Sequence, residues 1–550
     1  MKFSIAAIAL GVVALACKPL PSEERGRRIV HLGLRAQVGS LDPLQSGAQY
    51  AALGQTPVYE PLLGYDLEVR PLTLVPLLLA RMPEVDADGT TYLFTLRDDL
   101  YFQDDPCFPD GVGRAVTSTD AVYSLRRHAD RGAKSTGWWL FQGRIRGLDQ
   151  LAERDFDPDL PVEGLEVLDA RRFRLKLTAP YPQLLYVLAM AYSAVVPREA
   201  VELYGEDFRR HPVGTGPYRL QSWDSPLELR YVANPRYRSQ VAADGLWLHV
   251  YEQEQPMWLK WRVGDLDLIP VPPEFVPAVI QEGRLRDTFA AEGVGMASYA
   301  GLDLVYLGFN LEDPIVGGAR GKKLRQALAA AIDGTETVDT FYAGAGLVYD
   351  GPIPPGVEGH LERPAPYRGL NLPLAKQLLA EAGYPGGEGL PPLRLATVRS
   401  GNAAEQVELL QRQWRAIGVR VEAELYSFPE LDQALKKKKA QLFRLAWISD
   451  YPDAENNLAL FYGPNRPPGA NHFNFRDPSY DHLYEQARVM LPSPLRTRLY
   501  EQMRDRIVEE APIIAGLART RYYVWNRRVT AVSPDETSWR WINHLTVDAR

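Results

Sequence analysis

The residues that most often carry chemistry in proteins are scattered along this chain rather than grouped. None of the eight histidines lies four residues from another, and the two cysteines, Cys17 and Cys107, form no C-x-x-C motif. Zinc and iron–sulfur sites are usually built from closely spaced histidine and cysteine ligands. The G-x-S-x-G sequence of serine hydrolases is also absent. These patterns argue against an enzyme, and they predict neither a metal nor a cofactor.

Three segments match part of a known chemical motif. Residues 317–322 (GGARGK) approach a phosphate-binding loop, but the spacing is one residue short and Lys323 stands where serine or threonine is required. Residues 86–89 (DADG) imitate half of a calcium loop without its closing glutamate, which predicts a turn. The acids at 104–105 could serve a glycosidase, although acids in such a proline-rich loop are usually solvated. A secreted lipoprotein hydrolase that uses a carboxylate pair therefore stays open as the alternative class.

The composition is that of a large folded protein with little net charge. Of the 550 residues, 46% are hydrophobic and 24% are charged, which is typical of globular chains. The 62 lysines and arginines against 69 acidic residues give a net charge of −7, so no basic excess points to nucleic acid. Two cysteines cannot build a disulfide framework. We expect Cys107 to be a packing residue.

The N-terminus carries a short apolar segment that ends at a cysteine. Residues 5–16 are too few to cross a bilayer as a helix, which takes about 20 residues. The basic start, the short apolar run and the small residues that follow predict a signal peptide over 1–16. The sequence ALAC at 14–17 resembles a bacterial lipobox, with leucine two rather than three residues before the cysteine. It predicts lipidation of Cys17 and a tether over 17–27; the alternative is an ordinary signal peptide cut nearby.

The elements that must position any site alternate between strands and helices. Apolar and polar residues alternate over 91–97 and 171–177, which predicts two half-buried strands, with 165–168 as the hairpin partner of the second. Apolar residues at helical spacing predict a helix that opens at 117–120, and further helices over 322–332, 404–417, 480–490 and 496–508. Strands mixed with helices, without an internal repeat, indicate a mixed α/β or α+β protein.

An ordered series of short motifs resembles the family 5 extracellular solute-binding proteins, which include the oligopeptide- and dipeptide-binding proteins of ATP-driven importers. The sharpest match is PVGTGPY at 212–218. In chain order the others are SLDP (40–43), VYEPLL (58–63), DDLYF (98–102), VTSTDAV (116–122), ANPRY (233–237), KLRQAL (323–328), AID (331–333), GPIP (351–354), AIGV (416–419) and WISDYPD (447–453). Because the series follows the family's order over nearly the whole chain, the chain is identified as a member of that family.

The resemblance implies an α/β protein with a periplasmic-binding-protein-like fold (type II, cluster C). Two lobes would close on a ligand around a hinge, with an extra subdomain inserted in the first lobe. The core of lobe I would comprise 28–60, 179–281 and 507–550, the inserted subdomain 61–178, and lobe II 282–506. The GTGP sequence at 214–217 is expected to support the fold rather than to touch the ligand.

The resemblance also implies where a ligand binds. In peptide-binding relatives an aspartate three residues after a tryptophan receives the amino terminus of the ligand, and Trp447 and Asp450 keep this spacing. Asp450 would pair with the ligand ammonium, because an unpaired ion in a closed cleft costs several kcal/mol. Trp447 would form an apolar or cation–π wall. The alternative for Asp450 is a role in an Asx turn or as a helix N-cap.

A second charged group would receive the carboxylate of a peptide. Arg399 stands where dipeptide-binding relatives carry such an arginine, and a guanidinium can hold a carboxylate with two hydrogen bonds. The neighbouring residues diverge from the family, so Arg394 or Arg444 could take its place. The pair Trp138–Trp139 is a further loose candidate around the cleft, although the core or a contact between lobes is the favoured place for it. Three looser candidates lie close to Asp450 in the sequence: Tyr451, Asn456 and Asn457.

Together these features predict a lipid-anchored extracytoplasmic receptor in the periplasm or on the cell surface. It would act as a monomer that binds a di- or oligopeptide, closes, and delivers the peptide to the permease subunits of an ABC importer. It would contact the membrane only through its lipid, and nucleic acid would take no part. Relatives with this fold also carry metal chelates, haem, glutathione and sugars, so a non-peptide solute stays open, as does a sensor or chaperone-like binder without a permease.

Overall fold

The computed structural model describes residues 24–35, 37–46, 49–70, 72–399, 402–530 and 534–549. The predicted signal peptide (1–16) and the predicted lipidation site, Cys17, lie outside the described residues. The end of the predicted tether forms a turn in which buried Glu24 places Oε2 3.4 Å from Nε2 of His31. Glu24 is therefore buried against His31, although it lies in the segment predicted as a tether. None of the described helices combines the length and the apolar character that a membrane span needs.

Most of the strands that the structure describes are short, and one of them has 13 residues. In chain order the strands are β1 (Ile29–Leu34), β2 (Leu63–Tyr65), β3 (Leu74–Pro76), β4 (Glu84–Val85), β5 (Thr91–Thr95), β6 (Leu165–Val167), β7 (Arg172–Lys176), β8 (Tyr218–Ser225), β9 (Glu228–Ala233), β10 (Gly245–Val250), β11 (Leu268–Pro270), β12 (Ile280–Gln281), β13 (Arg284–Leu285), β14 (Gly295–Ala300), β15 (Asp303–Phe309), β16 (Gly346–Val348), β17 (Leu393–Val398), β18 (Val421–Tyr426), β19 (Leu442–Ile448), β20 (Ile513–Trp525), β21 (Val529–Thr530) and β22 (Thr546–Val547).

The helices lie between these strands, and the longest of those described has 17 residues. In chain order they are α1 (Gln49–Gln55), α2 (Ser118–Arg126), α3 (Leu148–Ala152), α4 (Leu184–Val187), α5 (Arg198–Tyr204), α6 (Glu254–Arg262), α7 (Val276–Val279), α8 (Asp287–Ala291), α9 (Gly318–Ala330), α10 (Gly334–Tyr342), α11 (Leu372–Glu381), α12 (Ala403–Arg415), α13 (Phe428–Lys436), α14 (Ala454–Leu458), α15 (Pro478–Ala487) and α16 (Pro494–Glu510).

The predicted strands and helices are confirmed, with shifted ends. Strands β5 and β7 pair with each other and β6 pairs with β7, as the alternation predicts. Helix α2 follows Thr117, which forms a capping box with Asp120. Helices α15 and α16 begin two residues before their predicted starts. The reason is local: Asp477 and Ser493 are N-caps, and each is followed by a proline that suits the first helical position.

Strand β20 joins the two halves of a mixed sheet. Twelve of the described strands form this sheet, with the order β18-β17-β19-β15-β20-β11-β1-β10-β9-β8 and with β14 and β16 also paired to β20. The start of β20 pairs with β15, where Ile513 lies opposite Gly308. Its end pairs with β11, where Trp525 lies opposite Leu268. One continuous strand therefore connects the half that contains β11 and β1 with the half that contains β15 and β19.

The half of the sheet around β15 is covered on both faces. Leu304 and Tyr306 belong to a buried cluster that includes helices α14, α15 and α16. Leu307 and Phe309 belong to a second cluster that includes α9, α11 and α12. Successive side chains of a strand point to opposite faces. This arrangement explains why every residue of β15 is buried and why its sequence is almost continuously apolar.

The four-stranded sheet β4-β5-β7-β6 packs onto the half around β11 and β1. Phe94 of β5 and Leu175 of β7 belong to the same buried cluster as Val30 of β1 and Leu248 of β10. Cys107 packs against this cluster as a half-buried free thiol, and its burial raises the pKa of the thiol. The predicted packing role of Cys107 is confirmed.

The GTGP segment holds two loops together. A Cβ atom on Gly214 would lie 2.2 Å from the carbonyl oxygen of Val58, and one on Gly216 would lie 2.5 Å from that of Pro57. Only glycine permits so close a backbone approach. Between the two glycines, buried Thr215 donates a hydrogen bond of 3.1 Å to the Glu60 carboxylate. The motif supports the fold, as the sequence predicts.

Candidate functional site

A cavity of about 430 Å³ lies between two segments that are far apart in the chain. This volume is within the range of small-molecule sites, about 300–1,000 Å³. The first wall is formed by residues 139–183 and the second wall by residues 447–488. The lining residues are Trp139, Arg144, Pro180, Tyr181, Gln183, Trp447, Asp450, Tyr451, Glu455, Asn456, Ala459, Asn465, Tyr484 and Arg488. Four of these side chains carry charge, so the cavity suits a polar, charged ligand better than a purely apolar one.

The end of β19 and the start of α14 position the second wall. Trp447 lies near the end of β19, opposite Leu304 of β15. The chain then leaves the sheet, and Asp453 caps α14 by accepting a hydrogen bond of 2.9 Å from the amide of Glu455. The N-cap role that the sequence left open for Asp450 therefore belongs to Asp453. This leaves Asp450 in the loop between the strand and the helix.

Two of the three acids in this loop and helix have strong protein partners. Asp453 is buried, with a carboxylate oxygen 3.0 Å from the guanidinium of buried Arg496, and it accepts a hydrogen bond of 2.9 Å from Tyr500. Glu455 accepts a hydrogen bond of 2.7 Å from the hydroxyl of Tyr451. A second tyrosine hydroxyl, that of Tyr484, also donates to Glu455. Both carboxylates are thus held by the fold.

Asp450 differs from these two acids because its carboxylate has only an amide as partner. The amide of Asn456 donates to it at 3.1 Å, and among the described residues Asp450 forms no ion pair. The side chain faces the water of the open cavity, yet protein surrounds that cavity. Desolvation by these surroundings raises the pKa of Asp450 above its usual value. A carboxylate that is surrounded by protein and forms no ion pair with a described residue is a suitable partner for a positively charged ligand group.

Asn456 fixes the relative position of two predicted site residues. Its side-chain oxygen accepts a hydrogen bond of 2.8 Å from the indole of Trp447, and its amide nitrogen donates to Asp450. The same oxygen lies 3.3 Å from the backbone amide of Asp450. One amide side chain therefore orients both the indole and the carboxylate toward the cavity.

Two arginines in the cavity lie on tyrosine rings. The guanidinium of Arg144 is 4.3 Å from the ring centre of Tyr181, on the first wall. That of Arg488 is 5.5 Å from the ring centre of Tyr484, on the second wall. Neither arginine forms an ion pair with a described residue. Stacking on an aromatic ring holds a guanidinium without using its hydrogen-bond donors.

Direct contacts already join the two walls. The side-chain amide of Gln183 donates a hydrogen bond of 3.3 Å to the carbonyl oxygen of Arg488. The rings of Tyr186 and Tyr451 stack with their centres 5.6 Å apart. Burial raises the pKa of Tyr186 to about 12. The two walls are therefore in direct contact beside the cavity rather than two separate surfaces.

The structure brings together four of the five predicted ligand residues. Trp447, Asp450, Tyr451 and Asn456 all line the cavity. Arg399 does not: it follows β17, is exposed, and donates a hydrogen bond of 2.8 Å to the carbonyl oxygen of Leu425. The other candidates also have partners elsewhere: Arg394 lies 3.4 Å from Glu424, Arg444 lies 3.2 Å from the Tyr342 hydroxyl, and buried Asn457 accepts from Ser449.

Sequence reasoning missed several residues of the first wall. Of the pair Trp138–Trp139, a loose candidate in the sequence, Trp139 is 55% exposed and lines the cavity. Trp138 packs against the core as expected. Arg144 and Tyr181 lie in no recognisable motif. Only the fold brings them opposite Asp450, so no local signal could have found them.

The partial motifs of the sequence have structural partners outside the cavity. Asp86 accepts hydrogen bonds of 2.9 and 3.0 Å from two backbone amides of a turn, as predicted. Asp104 accepts from Arg236 at 2.8 Å, and Asp105 accepts from the Tyr204 hydroxyl at 2.9 Å. These acids therefore hold local structure.

The chain resembles known proteins in sequence and in fold. The profile of the bacterial extracellular solute-binding proteins, family 5, middle region, matches residues 73–468. Heme-binding protein A of Haemophilus influenzae is 25% identical over 444 residues, which cover 79% of this chain and 77% of that protein. The dipeptide-binding protein of Escherichia coli is 25% identical over 483 residues, which cover 85% of each chain. The solved structure of HbpA2 from Haemophilus parasuis superposes with a TM-score of 0.81 at 22% identity, over 94% of this chain and 99% of that one.

Proposed function

The chain belongs to family 5 of the bacterial extracellular solute-binding proteins, and on that premise we propose that it binds a short peptide in the cavity between its two walls. The profile match confirms the family that the motifs predict, and the superposition with a solved structure confirms the two-lobe α/β fold. Membership of the family also makes the chain an extracytoplasmic solute-binding protein of an importer rather than an enzyme. The ligand and the residues that hold it are the subject of the proposal.

The observation that carries the proposal is the Asp450 carboxylate, which faces the cavity without a cation. The amino terminus of a peptide is an ammonium group, and it would supply that missing cation. In a closed cleft the pair would be strong, because the surroundings that raise the pKa of Asp450 also weaken the screening of its charge. The similarity to the dipeptide-binding protein of Escherichia coli supports the same ligand class.

The other predicted residues on the second wall would complete the site. Trp447 would pack its ring against the first residue of the peptide, since its indole N–H is already occupied by Asn456. Asn456 would hold Asp450 and Trp447 in place. Tyr451 would contribute its ring, because its hydroxyl donates to Glu455. The walls thus combine aromatic faces with a few oriented polar groups, as ligand sites generally do.

Closing and delivery complete the proposal. We propose that the predicted lobes, with lobe I at 28–60, 179–281 and 507–550, its insertion at 61–178, and lobe II at 282–506, close over the peptide. The protein would then act as a monomer and pass the peptide to the permease subunits of an ABC importer. A lipid on Cys17 would keep it at the membrane, so Cys17→Ser should abolish incorporation of labelled fatty acid and release the protein from the membrane fraction.

The test is calorimetric titration of protein that has been stripped of ligand by unfolding and refolding. Di-, tri- and tetra-alanine would be compared with the same peptides carrying an N-terminal acetyl group. We expect at least one free peptide to bind. Its acetylated form should bind at least about 30-fold more weakly, which is the low end of the range for loss of a desolvated charge pair. Failure of every free peptide drawn from a broad di- to tetrapeptide library, or equal binding of the acetylated forms, would overturn the proposal.

A further inference from the structure

The cavity contains positive charge that the proposed ammonium site does not use. Arg144 and Arg488 line it, and neither is paired with a carboxylate of the described residues. If a ligand enclosed them, both guanidiniums would lose water and would need an anion as partner. Two such arginines beside an unpaired aspartate call for a ligand that carries an anion as well as a cation.

The fold holds Arg144 firmly on the first wall. Its backbone amide donates to Phe141 at 3.0 Å, and its carbonyl oxygen accepts from Thr178 at 2.8 Å. The next residue, Ile145, bridges to Leu177 at the end of β7. The guanidinium then lies over Tyr181, 4.3 Å from the ring centre. The backbone and the ring thus fix the stem of Arg144 and leave the guanidinium donors directed at the cavity.

Arg488 is placed differently, and part of its charge is balanced. It is the C-cap of α15, and its backbone amide donates to Tyr484 at 2.9 Å. Its positive charge opposes the rise that burial causes in the pKa of Glu455. Glu455 is therefore a neighbour of Arg488, although the two form no ion pair. Arg144 forms no ion pair with a described residue either, so the effect of Arg488 on Glu455 is what distinguishes the two arginines.

All four charges surround one side chain. Burial raises the pKa of Tyr181 to about 12, Arg144 and Arg488 lower it, and Asp450 and Glu455 raise it further. The hydroxyl of Tyr181 therefore lies within electrostatic range of both walls. A ligand in this part of the cavity would be in reach of Asp450 on the second wall and of Arg144 on the first.

We propose that Arg144, with Arg488 beside it, receives the carboxylate of the ligand, so that a zwitterionic peptide bridges the cleft from Asp450 to Arg144. This inference rests on the proposed function and adds the second anchor. A guanidinium that keeps its donors free can hold a carboxylate with two parallel hydrogen bonds. The ligand class is thereby narrowed to short peptides with both termini free, and peptides blocked at either end are disfavoured.

The experiment pairs arginine variants with a chemical change in the peptide. The Kd of a peptide that binds the wild type would be compared with the Kd of its C-terminal amide. Both would be measured with ligand-stripped wild type, Arg144→Gln, Arg488→Gln and Arg399→Gln. Arg154→Gln is the matched control, because Arg154 is an exposed arginine near Arg144 that does not line the cavity. Thermal unfolding of each variant would verify that it is folded. A further variant, Arg144→Lys, keeps the positive charge but cannot form two parallel hydrogen bonds to a carboxylate.

We expect wild type and Arg154→Gln to bind the acid about 30-fold more tightly than the amide, from the loss of one charged partner. Arg144→Gln should bind the acid as weakly as the amide, Arg488→Gln should show a smaller loss, and Arg144→Lys should recover part of the discrimination. If the Arg144 and Arg488 variants keep the full discrimination, or if only Arg399→Gln loses it, the inference is wrong while the proposed function stands. If the wild type binds no peptide from a broad library, the proposed function fails and this inference with it.

Discussion

Replacing Asp450 by asparagine changes the charge of the cavity and little else. The two side chains have the same shape, and the side-chain oxygen of asparagine can still accept the 3.1 Å hydrogen bond from Asn456. The contact between Asn456 and the indole of Trp447 does not involve Asp450 at all. Asp450→Asn therefore isolates the negative charge from the geometry that surrounds it.

The expected loss of affinity follows from how the carboxylate is solvated. Removing one member of a desolvated charge pair at an interface costs about 2–5 kcal/mol. Asp450 still faces water in the open cavity and would be enclosed only with the ligand bound, so we take the lower part of this range, about 2–3 kcal/mol. At 1.4 kcal/mol per factor of ten, this corresponds to a Kd increase of about 30- to 150-fold.

The same substitution should not weaken the ligand-free protein. Desolvation raises the pKa of Asp450 in the folded state, so the folded protein holds this proton more tightly than the unfolded chain does. The ionised carboxylate therefore costs stability above its raised pKa, and this cost disappears as the pH falls below the ordinary value of 3.8. Asp450→Asn removes the cost, so at neutral pH its Tm should equal or exceed that of the wild type.

Titration calorimetry with a bound peptide and thermal unfolding without ligand, both at neutral pH, measure the two effects. Asp339→Asn is the control, because Asp339 is exposed and lies outside the cavity. Unchanged affinity in Asp450→Asn would remove Asp450 from the site. A loss of affinity accompanied by a lower Tm would show that the carboxylate supports the fold, and the charge argument would be refuted.

Three further predictions follow from contacts in the structure. Peptide affinity, measured by calorimetry, should be constant near neutral pH and should fall as the pH drops through the raised pKa of Asp450, by up to about tenfold per pH unit. The affinity of Asp450→Asn should not change in this way. Arg496→Met should lower the free energy of unfolding in urea by about 3–5 kcal/mol, because it leaves Asp453 buried and unpaired; a loss below 1 kcal/mol would contradict this. Gly214→Ala should lower the Tm, because its Cβ would lie 2.2 Å from the Val58 carbonyl oxygen. The peptide Kd of the folded fraction should not change. A Tm equal to that of the wild type would refute the tight approach.

Local patterns in the sequence predict elements well because those elements are determined locally. Alternation predicts the pairing of β5 and β7, and the capping residues Thr117 and Asp120 mark the start of α2. The apolar pattern predicts the starts of α15 and α16 two residues too late, because each helix begins at the proline of an Asp-Pro or Ser-Pro sequence that precedes the pattern. The order of motifs predicts the family and the fold, and one of these motifs marks a tight contact, that of Gly214 with Val58.

Apart from the loose candidate Trp139, the predicted residues that line the cavity belong to one wall, for a physical reason. Trp447, Asp450 and Asn456 lie within ten residues, so one loop positions all three. The first wall lies at residues 139–183, far from this loop in the chain, so no local pattern in the sequence joins the two walls. An arginine is a ligand candidate when its guanidinium lacks a protein partner. That property separates Arg144 from Arg399, and only tertiary structure reveals it.

Unpaired charges on facing walls also bear on when the cleft closes. If it closed empty, Asp450 and Arg144 would each lose water without gaining a counter-ion, at a cost of several kcal/mol per ion. A zwitterionic peptide supplies both counter-ions, and it does so fully only when the walls approach. A ligand shifts a conformational equilibrium by its differential affinity for the two states. A peptide with one end blocked would leave one charge unpaired, so we expect it to bind weakly and not to drive closure. The two charges that we propose to select the ligand would therefore also oppose closing of the empty cleft.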